Sequence, residues 1–118
     1  MTNTTQQQER RPQATDEQPS YILNDLDHRI IEVIMAEMRL PPQLAIIQRR
    51  DRRAHIAWAR QLVAYMLNEA DVPVAIIAAV LATSLTNIYY SIRSAKFRLE
   101  TEPKTRDQIA RIKGRVGL

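Results

Sequence analysis

The chain has 118 residues, a length that suits one domain and a tail. With no cysteine, it is excluded from disulfide scaffolds, cysteine-zinc sites, iron–sulfur clusters and thiol catalysis, while 5% aromatic residues and only two glycines argue against a turn-rich β-sandwich or barrel. Its 17 Lys and Arg outnumber 13 Asp and Glu, and the net charge of +4 favours a polyanionic partner. Apolar residues make up 45%, enough for a core, yet no apolar run approaches the ~18 residues of a membrane span. The N-terminus lacks the charged-then-apolar order of a secretion signal. The expected fold class is therefore all-α, in a compact bundle of about six helices, and the expected location is the cytoplasm.

The charge is unevenly spread. Residues 39–60 carry six Arg against Asp51, and residues 93–118 carry eight basic against three acidic groups. Between them, residues 61–92 carry only Glu69 and Asp71. Two basic blocks around a nearly neutral middle suit a protein that grips a polyanion at two places. Residues 1–20 form a polar tract with Gln6-Gln7-Gln8 and almost no large apolar side chain. Such a segment cannot offset its chain entropy by burial and is expected to be disordered, leaving 21–118 as the domain.

Leu26, Ile30, Ile34 and Met38 recur every four residues, which predicts a first helix over 24–38 capped by Asn24 or Asp25. Pro41-Pro42 separates it from a short helix over 42–48. After Arg49-Arg50-Asp51-Arg52-Arg53, the stripe Ile56, Ala59, Leu62, Val63 and Met66 predicts a third helix over 54–69. Asp71 is the expected cap and Pro73 the first turn of a fourth helix, 73–81, whose segment Val74–Leu81 has no polar side chain. Thr83 or Ser84 is expected to cap a fifth helix over 84–99, with Ile88, Ile92, Ala95 and Leu99 inward. Pro103 opens a last helix, 103–115, with Ile109 and Ile112 inward and Gly114 and Gly117 loosening its end.

A short apolar helix, a turn, and a longer helix with a polar outer face make a helix-turn-helix pattern. In that arrangement the second helix enters the DNA major groove and its N-terminal residues meet base edges. Those residues are Thr83, Ser84, Leu85, Thr86 and Asn87. Asn can bond adenine N6 and N7 together, and a Thr or Leu methyl can pack on the thymine methyl. Tyr90 suits a phosphate or a base edge, and Arg93 a phosphate.

Arg52-Arg53 followed by Ala57-Trp58-Ala59-Arg60-Gln61 resembles the C-terminal DNA-binding domain of the bacterial replication initiator DnaA. That family has a basic loop, a helix opening on Ala-x-x-Arg-Gln, an apolar helix, and then a Pro-led short helix and a helix-turn-helix. The same order occurs here, and the resemblance spans about residues 30–113. It implies a Trp-repressor-like fold and a grip in two grooves. Arg52 matches the loop residue that enters the minor groove, and the neighbouring Arg49, Arg50 and Arg53 join it as DNA contacts. Arg60 and Gln61 match residues that hold the backbone, and Arg93 matches a basic residue of the recognition helix. The family signature Gly-Arg-Asp-His-Thr-Thr-Val departs here to Ala82-Thr83-Ser84-Leu85-Thr86-Asn87-Ile88. With its Arg, Asp and His gone, the chain is not expected to read the initiator's usual box. No Gly-rich phosphate loop with Lys-Ser/Thr occurs. The stretch Ile77–Ile88 also resembles region 4 of sigma factors, without the match at Arg49–Gln61.

Other residues have simpler readings. Trp58 is read as a core anchor, and of the adjacent Tyr89 and Tyr90 one is expected to pack inward while Tyr90 meets DNA. Asp25, Asp27 and His28 point apart on one turn and are read as surface groups; no metal or cofactor is expected. No nucleophile–base or carboxylate pair suggests an enzyme or a small-molecule substrate. The function expected is sequence-specific binding of double-stranded DNA by a bacterial or phage-derived transcriptional regulator, an activator, associated with the nucleoid. An apolar surplus on the first helix and on Val74–Val80 would meet RNA polymerase or an architectural DNA-bending protein. The alternatives are an origin-binding replication regulator and a protein–protein adaptor with the same fold.

Overall fold

The computed structural model describes residues 22–48 and 51–118, and the expected N-terminal tail lies outside the described residues. Six helices follow in order among them: α1 (Asp25–Glu37), α2 (Leu44–Gln48), α3 (Ala54–Glu69), α4 (Val74–Val80), α5 (Leu85–Thr101) and α6 (Pro103–Val116). There is no strand among the described residues, so the protein is all-α, as its composition implies. No single helix is long and apolar enough to cross a membrane.

The helix ends have local causes. Asn24 caps α1 by accepting from the Asp27 backbone N–H at 2.8 Å, while the Asp27 carboxylate accepts from the Asn24 N–H at 3.0 Å. This reciprocal box satisfies two donors that a helix start leaves open. It also corrects the surface reading of Asp27, which is buried. At α4 the expected cap is absent: Asp71 sits in the turn with φ 67°, and Pro73 stands at the cap position without a side-chain bond. Ser84 caps α5, its hydroxyl accepting from the Asn87 N–H at 3.2 Å. Gly117, at φ 96°, closes α6 rather than loosening it. The N–H groups of Gly117 and Leu118 both donate to the Lys113 carbonyl, and the Arg29 guanidinium donates to the Val116 carbonyl at 3.1 Å.

α3 is the centre of the molecule. It packs against α1, α2, α4 and α5, while α6 lies on α1 and α5. Its buried residues are Ile56, Trp58, Ala59 and the unbroken run Leu62–Leu67, wider than the single stripe the sequence predicts. A helix flanked on several sides buries side chains all round, and Ala59 and Ala64 let neighbours approach closely. The apolar surplus expected to face a partner is mostly internal. Ile30, Ile34 and Met35 of α1 and Ile76, Ile77 and Ala78 of α4 are buried. The exposed large apolar side chains sit elsewhere, and four of them, Leu85, Tyr89, Tyr90 and Phe97, are on α5. Tyr89 and Tyr90 are both exposed because both lie off the Ile88–Ile92–Ala95 face, so neither packs inward as expected of one of them.

Trp58 joins the distal helices. Its indole N–H donates to Gln108 Oε1 of α6 at 2.7 Å, and Gln108 Nε2 reaches Met38 Sδ just past α1 at 3.5 Å. The Arg98 guanidinium of α5 lies over the Trp58 ring, 3.8 Å from its centroid, and also bonds Glu102 at 3.2 Å.

Truncating a side chain at the centre of this core leaves a cavity that four surrounding helices cannot all close. Leu62→Ala is expected to lower unfolding free energy by about 2–5 kcal/mol, read from the midpoint of urea denaturation followed by circular dichroism.

Candidate functional site

Three segments distant in sequence meet at one concave surface. The end of α2, the loop into α3 with its first turns, and the start of α5 enclose a cleft of about 650 Å³. Its polar lining includes Gln48, Arg52, Arg60, Gln61, Thr83, Ser84, Asn87 and Tyr90. Of the expected site residues, then, Arg52, Arg60, Gln61, Thr83, Ser84, Asn87 and Tyr90 share one site. Arg53, Leu85 and Thr86 are exposed but outside its lining. Arg93 lies in an adjoining cleft of about 490 Å³, shared with Gln61, Ser94, Phe97 and Arg98. Arg49 and Arg50 lie outside the described residues.

The turn between α4 and α5 gives the cleft its far wall. The chain bends by 100° between these helices, across residues 81–84. Ala82 makes the bend with φ 54°, in the left-handed region that favours glycine. The Thr83 N–H then donates to the Ala78 carbonyl at 2.9 Å, which closes the end of α4. Gln48 braces the same corner, its amide donating to the Val80 carbonyl at 2.7 Å. The first turn of α5 is thereby held at a fixed angle over α3.

The basic loop forms the near wall, and its arginines differ in availability. Arg53 is folded back on Asp51, with the two side chains 2.7 Å apart at the closest point. Asp51 also accepts from the Arg53 backbone N–H at 3.0 Å. These bonds from Arg53 hold the Asp51 carboxyl down to about 2 and raise the Arg53 guanidinium above its usual value. Arg60 braces the loop from α3, donating to the Asp51 carbonyl at 2.8 Å. Arg52, by contrast, is exposed at the cleft with no hydrogen bond or ion pair among the described residues. Among the described residues of the loop, Arg53 is thus half-neutralised and Arg52 is an open cation.

The second basic block is a different kind of surface from the one expected. Arg111 and Arg115 pair with Glu37 of α1, at 2.8 and 3.5 Å, and Lys113 pairs with Glu69 of α3 at 3.3 Å. Arg106 donates to the Leu99 and Glu100 carbonyls at the end of α5. Glu102, held below the usual carboxylate range by Thr105 and then Arg98, fastens the α5–α6 corner. Most of this block therefore ties α6 to the body. Arg93 and Arg98 are the members that line the adjoining cleft, and Arg98 is engaged there by Trp58 and Glu102.

Sequence reading did not count Gln48, Ala57, Leu81, Ala82, Ile88 and Ser91 among the site residues, and all six line the cleft. Ser91 follows Asn87 by one helical turn and Ala57 precedes Gln61 by one, so helix periodicity could have placed both. Gln48 gives no such signal, because only packing sets how α2 meets α4. Among the described residues, no group of three His, Cys, Asp or Glu side chains is placed to hold a metal. An open cation, amides and hydroxyls around a concave surface can receive phosphate oxygens and the edges of flat polar groups. No protein-family model matches the chain, and no curated protein matches it in sequence.

Two outcomes follow from this geometry. Asp51 should titrate near pH 2 rather than at its usual 3.8, so the Asp51–Arg53 clasp persists from there up to the strongly alkaline pH at which the guanidinium deprotonates, as carbon-detected NMR of the carboxyl would show at its acid end. Ala82→Gly removes the Cβ clash of a left-handed residue, a cost of roughly 1–2 kcal/mol, against roughly 0.5–1 kcal/mol of added chain entropy. A gain of about 0.5–1 kcal/mol in unfolding free energy is expected, measured by the same urea denaturation.

Proposed function

We propose that this protein binds double-stranded DNA sequence-specifically and acts as a transcriptional regulator. The carrying observation is the convergence of Arg52, Gln61, Thr83, Ser84, Asn87 and Tyr90 from separate segments onto one cleft beside a 100° helix–helix bend. Paired helices that bend by about 90–120° across a short turn are the layout of a helix-turn-helix. On this reading α4 is the supporting helix and α5 the recognition helix. Its first turn enters the major groove, and the loop carrying Arg52 reaches the adjacent minor groove. Asn87 and the residues around it read base edges, while Gln61, Tyr90 and Arg93 contact the sugar–phosphate backbone. Arg60 shapes the loop from behind, through Asp51.

The proposed kinship is with the DNA-binding domain of the replication initiator. It is supported by the left-handed Ala82, which stands where that family's signature has glycine. The change from the family's Arg, Asp and His to Thr83, Ser84 and Leu85 gives this chain different targets, which favours a regulator of its own sites over a competitor at the origin.

Neutralising about four to five phosphates gives a slope of roughly −4 for log affinity against log salt. Arg52→Ala is expected to weaken binding, most on duplexes whose minor groove at the loop is narrow and A·T-rich, and to make that slope shallower by about 1. Fluorescence anisotropy on labelled duplexes at several salt concentrations measures both. Absence of salt-dependent binding by the wild-type protein would overturn the reading.

A further inference from the structure

The basic loop carries one acid, Asp51, among its arginines. Its charge repels phosphate, yet its contacts hold the loop in shape. The Asp51 carbonyl accepts from the Arg60 guanidinium at 2.8 Å, and its carboxylate accepts from the Arg53 backbone N–H at 3.0 Å. The carboxylate also takes the Arg53 guanidinium, 2.7 Å away at the closest point. A carbonyl and an ionised carboxylate only accept, while a backbone N–H and a guanidinium only donate, so the direction of each bond is set. The Arg60 bond holds the peptide group that precedes the Arg52 Cα, and the bond to the Arg53 N–H holds the peptide group that follows it. With both planar peptide groups held, the two soft torsions of Arg52 are held between them, and so is the direction in which its side chain leaves the backbone. That side chain lines the cleft.

We infer that Asp51 is a positioning residue that aims Arg52 at the DNA; this rests on the DNA-binding reading above. Its charge opposes binding, and its acceptor oxygen promotes it. A loose loop would let Arg52 sample many directions and would order it only on binding, at an entropic cost that lowers affinity. The two effects separate on substitution. Asp51→Ala removes the charge and the acceptor together. Asp51→Asn removes the same charge but keeps an amide oxygen that accepts from the Arg53 N–H. Charge alone predicts the same gain in affinity for both variants. Positioning predicts that they part, with Asp51→Ala the weaker binder, and that the difference acts through Arg52.

The test measures affinity by fluorescence anisotropy for the full chain, for Asp51→Ala, Asp51→Asn and Arg52→Ala, and for the two double variants that join Arg52→Ala to each change at Asp51. The probe is the duplex that the wild type enriches most from a random library. Thermal melting of each confirms the fold, since no core residue is altered. Asp51→Asn should bind at least as tightly as the wild type, and Asp51→Ala about threefold to tenfold more weakly than Asp51→Asn. In the Arg52→Ala background the two changes should agree within about twofold. Asp51→Ala binding as tightly as Asp51→Asn overturns the inference. So does a gap between them that survives Arg52→Ala at full size, because the acceptor then acts through another residue. In both cases DNA binding itself stands. Failure of the wild type to enrich any sequence removes the DNA-binding reading and this inference with it.

Discussion

Burial of α3 is the constraint on which the other elements depend. Leu62 to Leu67 are buried without a break, so every side of this helix must meet a neighbour. A lone helix of this composition would expose its apolar surface to water on every side. Four helices cover it instead, and their places follow from that need. Polar side chains of α3 reach the surface at both its ends, Arg60 and Gln61 in the N-terminal turns and Asn68 and Glu69 at the C-terminus. The cleft opens at the first of these, where the core leaves the central helix uncovered, while Glu69 at the second pairs with Lys113.

Two sets of polar contacts refine this frame in different ways. Towards α6, Trp58, Gln108, Arg98 and Glu102 fasten α3, α5 and α6 to one another, while Glu37 and Glu69 take up Arg111, Arg115 and Lys113 of α6. Around the cleft, Gln48 and Thr83 tie down the C-terminal end of α4, and Asp51 and Arg60 shape the basic loop. The first set absorbs positive charge into the structure. The second holds polar groups at fixed positions while leaving Arg52 open. Charge counted along the chain cannot separate these cases, because it does not show which cations have partners across the fold.

A similar division appears at the helix ends. Asn24 and Asp27 stand three residues apart before an apolar run, a spacing that favours a capping box wherever the chain starts a helix. Asp71 has a good capping side chain and stands near a helix start, yet it occupies a left-handed turn instead. The Val72 N–H donates to the Leu67 carbonyl, and Val72 is buried, so packing of the turn sets the backbone there. Local preference governs where nothing larger competes with it.

Apolar periodicity in the sequence determined the six helices and their inward residues on α1, α5 and α6, since those helices are packed on one face. The serine cap and the prolines at 73 and 103 marked where helices begin, through constraints that act within a turn of chain. The order of basic loop, Arg-Gln helix start and paired helices also made the candidate site residues legible. Tertiary structure alone decided that α3 is buried nearly all round, that Arg111, Arg115 and Lys113 of α6 pair with Glu37 and Glu69, and that Gln48 joins Thr83 and Arg52 at one cleft. It also decided that Arg53 turns to Asp51 while Arg52 stays open. These outcomes depend on distances between segments far apart in the chain, or on a loop's path over its neighbours, and periodicity carries neither.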